Sequence, residues 1–154
     1  MNIKLIALFY ALCMATVLAQ SSGLEVPVGS KVYVVVEILA PDAAAMGLSR
    51  EIILNKCELQ LRRNGISLGK RGDGLASGFH LYVNCGITGT AFANSLEFKR
   101  MVSYSVGSSK HAVMATTYNT GGQGIASEGS FVLQNLLDSI DVFSNEFIKC
   151  NLSN

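Results

Sequence analysis

The side chains with most capacity for chemistry are two histidines, His80 and His111, and three cysteines beyond the first nineteen residues, Cys57, Cys85 and Cys150. A cysteine or serine nucleophile needs a histidine within hydrogen-bond reach and an acid to orient it. A zinc site needs several such ligands converging on one point. The spacing favours neither. His80 and Cys85 are an odd number of residues apart in an alternating stretch, which puts them on opposite faces of a strand. His80 and His111 can meet only if their strands are neighbours in suitable register, and no third ligand accompanies them. With no Cys-x-x-Cys pair, a thioredoxin-like redox role has no support. Asp138 and Asp141 are three apart on the polar side of a helical pattern, where a solvated face is expected. No triad or dyad assembles from these types, so the sequence predicts no catalytic residue, no metal and no cofactor.

Two shorter patterns carry weaker chemistry. Arg71-Gly72-Asp73 spells a tripeptide read by integrins, but Gly72 and the following Gly74 are those of any turn, and it reads as plain loop. Gly121-Gly122-Gln123-Gly124 precedes a helix, where backbone amides can hold an anion. No lysine follows at P-loop spacing, and the stretch reads as a mobile connection. The glycine-rich loops expected at 69–78 and 119–129 support the alternative function, a small-ligand binder or hydrolase-type enzyme, if they converge over a pocket with a histidine.

The remaining elements must position whatever these residues do. Lys31 to Leu39 is β-branched and nearly all apolar, as in a central strand. Ser49 can cap a helix to about Asn64, with Ile53, Cys57 and Leu61 on one stripe and Gly65 as its stop. Ile66-Ser67-Leu68 is a short strand candidate. Phe79 to Ile87 alternates, with Leu81, Val83 and Cys85 on one side and His80, Tyr82 and Asn84 on the other. Leu96 to Val106 and Lys110 to Tyr118 form a hairpin about Gly107-Ser108-Ser109. Asn119 to Gly129 reads as loop. A final helix runs from a Ser130 cap to about Cys150, with Leu133, Leu136, Leu137, Ile140, Phe143 and Phe147 in its stripe. The expected fold is α/β (α+β), a mixed four- to five-stranded sheet with two helices on one face, in the order β-α-β-β-β-β-α. The uncovered sheet face then offers His80, Tyr82, Asn84 and Met101 as the candidate binding residues.

The chain has 154 residues and opens on one basic residue, Lys4, followed by an uncharged apolar run from Leu5 to Leu18. Small residues stand at Val17-Leu18-Ala19. This is the layout of a secretory signal peptide, too short to span a bilayer. The domain expectation is a signal peptide at 1–19, a flexible lead-in at 20–30 and one α/β domain at 31–151. Cleavage would leave no stable membrane span. Removing Lys4 takes twelve basic residues to eleven, against eleven acidic ones. That balance gives no electrostatic footprint for nucleic acid. It would also remove Cys13 and leave three cysteines, of which at most one pair among Cys57, Cys85 and Cys150 can bridge in an oxidising compartment. Asn151-Leu152-Ser153 is formally a glycosylation acceptor.

Four segments carry a family likeness: Val34-Val35-Val36-Glu37, Glu58 to Ile66 across the helix end, Ala115 to Gly121, and Phe147-Ile148-Lys149-Cys150-Asn151. Together they resemble a family of uncharacterised small exported bacterial proteins, over most of residues 30–151. The element order is also similar to the α/β domains of the curli secretion channel and of the Tol-Pal propeller protein's N-terminal region. The resemblance implies a periplasmic or secreted location and brings no catalytic residues. With it, the expected function is a non-catalytic binding or assembly module of the bacterial cell envelope. Its expected partner is another envelope protein or a second copy of the chain, engaged through the open sheet face or a free edge.

Overall fold

The computed structural model describes residues 23–70 and 78–152. The leader Met1–Ala19, Arg71-Gly72-Asp73 and Ser153 lie outside them. The described chain forms β1 (Tyr33–Leu39), α1 (Pro41–Ala45), α2 (Arg50–Arg63), β2 (Phe79–Thr88), β3 (Ala91–Val106), β4 (Ser109–Ile125) and α3 (Gly129–Asn151). The strands make one mixed sheet in the order β1-β2-β3-β4, with β1 parallel to β2 and the other pairs antiparallel. The expected class is therefore correct, with three helices rather than two. The additional helix, α1, opens on Pro41, whose missing N–H costs nothing at a helix start.

The expected strand at Ile66–Leu68 shrinks to a single bridge between Val32 and Leu68. Gly65, at φ +83°, ends α2, and Ile66 drops straight into the core. The order is thus β-α-α-β-β-β-α. At the start of α2, the Ser49 hydroxyl accepts from the Ile52 amide at 3.2 Å. Arg50, the next residue, donates through Nε to the Val36 carbonyl at 2.6 Å. That bond holds β1 where its register slips between Val36 and Leu39.

Both long helices lie on one face, α2 over β1 and α3 over β3 and β4, and they pack on each other. Beneath them the alternation of the strands buries Val36, Leu81, Val83, Cys85, Ile87, Leu96 and Phe98. Phe98, Phe143 and Phe147 cluster at its centre, with Phe98 tilted against Phe143 at 5.8 Å and edge-on to Phe147 at 5.9 Å. In α3 the fully buried line is Val132, Leu136, Ile140, Phe143 and Phe147, while Leu133 and Leu137 are only half-buried. Ser139 and Ser144 complete that inner face, donating their hydroxyls to the Asn135 and Ile140 carbonyls. Small self-satisfied side chains let the helix approach the sheet closely. Ser130 does not cap α3. Glu128 is the cap residue, and the Ser130 hydroxyl donates to its carboxylate at 3.1 Å.

The expected loop at 119–129 is strand as far as Ile125, so β4 has 17 residues. Its glycines answer to crowding rather than to mobility. A Cβ on Gly121 would sit 2.2 Å from the Asn94 carbonyl oxygen, and one on Gly122 would sit 2.3 Å from Asn135 Oδ1 on α3. Glycine inside a strand marks such close approaches.

The stretch expected as a flexible lead-in is docked from Gly23 onward. Leu24 is fully buried. Asn151 Nδ2 donates to the Leu24 carbonyl and Asn151 Oδ1 accepts from the Val26 amide. Arg100 donates to the Glu25 carbonyl, and Thr117 donates its hydroxyl to the Gly23 carbonyl.

Candidate functional site

The sheet face away from the helices carries Tyr33, Val35 and Glu37 from β1, then His80, Tyr82 and Asn84 from β2. Register sets Lys99 opposite His80, Glu97 opposite Tyr82 and Ser95 opposite Asn84. The expected trio therefore does share one face. It is less open than expected at one position: His80 is only 2% exposed, with the rings of Tyr33 and Tyr82 at 5.8 and 6.1 Å. Its Nδ1 is buried without a hydrogen-bond partner. Desolvation lowers the His80 pKa below the ordinary histidine value, so the ring is held neutral. Beside it Lys99 Nζ lies 2.9 Å from Glu97 Oε2 and 4.1 Å from the Tyr82 ring centre. The Glu97 hydrogen bond raises the lysine pKa, and Thr116 donates its hydroxyl to the same carboxylate oxygen. Lys99 and Glu97 on this face are thus already paired with each other.

His111 is elsewhere. It faces Tyr104 across the β3–β4 ladder, ring to ring at 5.3 Å, on the helix side of the sheet. Lys99, opposite His80, pairs with Thr116, and His111 is five residues beyond that along β4. At ~3.4 Å per residue the histidines are roughly 17 Å apart along the sheet, and they point to opposite sides. Among the described residues, no three His, Cys, Asp or Glu side chains cluster as a metal site.

Cys57 and Cys85 are buried in the core, Cys150 is half-buried, and none of the three is in a disulfide. Burial, reinforced by Cys85 and Glu58, pushes the Cys57 thiol up to about 12, and burial raises Cys85 as well. Neither is a nucleophile at neutral pH, because the reactive form is the thiolate. Asp141, expected on a solvated face, is half-buried; one of its oxygens accepts from Gln60 and Asn64, each at 2.7 Å, tying α3 to α2. Gly65-Ile66-Ser67-Leu68-Gly69 has the spacing of a hydrolase nucleophile elbow, which requires a strand-to-helix turn. Here a helix precedes the serine and a single bridge follows, so that context is inverted.

The described residues of the two glycine-rich stretches lie at opposite ends of the sheet. Residues 119–125 pair with β3 residues 91–97, near the β2–β3 turn. Residues 69, 70 and 78 lie towards the opposite end of β2, where Phe79 pairs with Arg100. Among the described residues, no pocket is framed by both.

What the structure adds is a projection. β2 ends its pairing at Phe79–Arg100, yet β3 and β4 continue together to Val106 and Ser109. Residues 101–114 thus form a two-stranded ribbon beyond the rest of the sheet. Met101 is 48% exposed, Tyr104 51%, Val106 62% and Val113 48%. Met101 was expected on the open face and is there. Tyr104, Val106 and Val113 were legible only as members of the Leu96–Tyr118 hairpin. The discriminating signal is length: the turn at Gly89-Thr90 fixes which residues can pair with β2, and everything after Arg100 overshoots it.

A comparison with protein-family models finds none that matches the chain, and no curated protein matches it. Among the described residues, no helix is long and apolar enough to cross a membrane.

Proposed function

We propose that this chain is an exported, non-catalytic binding or assembly module of the bacterial cell envelope, and that its contact is made by the β3–β4 ribbon. The observation that carries this reading is the ribbon itself. An isolated two-stranded hairpin is marginal in water and gains from a covering partner. This one presents Val102, Tyr104, Val106 and Val113 on its helix-side face, where no helix reaches. The address is supported by the Met1–Ala19 pattern and by the resemblance to small exported bacterial proteins.

Two measurements test the reading. N-terminal sequencing of the cell-processed protein should begin at Gln20, and recovery of an uncleaved chain from the cytoplasm would sink the address. A photoreactive residue at Tyr104, irradiated in intact cells, should give a discrete adduct. Its absence, with an adduct equally absent at Val113, would remove the ribbon as the contact.

A further inference from the structure

The geometry points to a second copy of this chain as the ribbon's partner: two copies join antiparallel through the outer edges of β4, about a two-fold axis at Val113. This deepens the proposed contact and rests on it.

β4 is an edge strand, and among the described residues no strand pairs with its outer side. Proteins ordinarily blunt long edges with charges, proline or bulges. β4 has no proline and one charged residue, Lys110, in its 17 residues. Its single irregularity is at Thr117, skipped where Phe98 pairs with Tyr118 and Lys99 with Thr116. A regular edge therefore runs from Ser109, after the hairpin turn, to Thr117. There Gly23 packs on the Thr117 carbonyl and closes the edge.

The stretch 109–117 has Val113 at its centre. A two-fold axis perpendicular to a sheet must pass at the level of a residue, because facing residues share a side of the pleat. With the axis at Val113, that residue meets its own copy. Lys110 then faces Thr116 of the second copy, whose hydroxyl is bonded to the Glu97 carboxylate. The lone charge of the edge thus comes beside a carboxylate and stays far from its own twin. On the helix side, both Tyr104–His111 stacks and both Val102–Val113 pairs line one continuous apolar strip. An edge of ~30 Å by ~15 Å buries roughly 450 Å² per copy, about 900 Å² in all, which is below the range of stable interfaces and in that of weak, transient ones. The expected product is a reversible dimer with dissociation on the order of 10–100 µM.

The test places one cysteine at the axis, Val113→Cys, in a Cys150→Ser background of the full chain. Paired Cβ atoms at ~5 Å should link into a covalent dimer under mild oxidation at least about ten-fold faster than in Val106→Cys, whose residue lies at the ribbon tip. Equal rates at both positions, or no link at either, overturn the inference. Val113→Lys sets like charges on the axis and should abolish the dimer in sedimentation, with an unchanged circular dichroism spectrum. A dimer that survives it overturns the pairing. The Tyr104 photo-adduct separates the two proposals. An adduct of twice the chain mass supports both, one of another mass keeps the ribbon contact and refutes the second copy, and no adduct at either Tyr104 or Val113 refutes the contact itself.

Discussion

The two halves of the β3–β4 hairpin follow the same alternating pattern and meet opposite fates. In the lower half, residues 91–100 with 115–125, the helix-side positions Phe92, Leu96 and Phe98 are buried under α3. Asn94 on the same side is buried too. It donates to Asn135 Oδ1 at 2.9 Å and accepts from the Gly122 amide at 3.0 Å. In the upper half, residues 101–114, the equivalent positions Tyr104, Val106 and Val113 stand in water. The strand chemistry is the same; what differs is the roof. Alternation specifies a side of a sheet, and only the reach of a neighbouring element turns that side into a core.

Matched substitutions break this comparison most sharply. Phe98→Ala removes a fully buried ring and should cost about 3–5 kcal/mol in urea unfolding, whereas Tyr104→Ala in the ribbon should stay within about 0.5 kcal/mol. Similar costs for the two would mean the ribbon is already roofed in the monomer. Next in size, Gly122→Val drives a side chain into Asn135 and should lose about 2 kcal/mol or more, with Ala112→Val nearly neutral. Asn94→Ala leaves the Gly122 amide and Asn135 without their buried partner, for a loss of about 1–3 kcal/mol. A neutral result there would show that water replaces the asparagine.

The smallest effect belongs to the other face of the sheet. His80 binds its proton less readily folded than unfolded. Below an unfolded pKa of about 6.5 the unfolded chain holds more protons, so stability falls as pH drops through that value and levels off below the lowered folded pKa. The urea midpoint should therefore decline between about pH 7.5 and 5.5. His80→Gln should flatten the decline, and an equal slope in that variant would assign the titration to another group.

Sequence pattern reached the class of fold because its strongest signals are local. Ser49, Gly65 and the Ile53–Cys57–Leu61 stripe mark α2 at both ends, and the alternation from Phe79 to Ile87 marks β2. It failed where a glycine has two physical meanings. Gly121, Gly122 and Gly124 look like a loop when read for conformational freedom, and are strand because a neighbour sits where their side chains would be. The face of His80, Tyr82 and Asn84 followed from parity alone. The enclosure of His80 did not, because it depends on Tyr33 arriving from a strand nearly fifty residues away. The ribbon escaped for the same reason: no residue within it records where β2 stops.

Asn151 gives this fold a clasp between its two ends. Its one amide holds Leu24 and Val26, across separations of 127 and 125 residues. Such contacts lie at the extreme of sequence distance for a chain of this size, and they form only after everything between has been made. A chain emerging N-terminus first cannot seat Leu24 until its last helix is complete. The clasp on Leu24 and Val26 is thus the last of these contacts to close, made only when the final turn of α3 is in place.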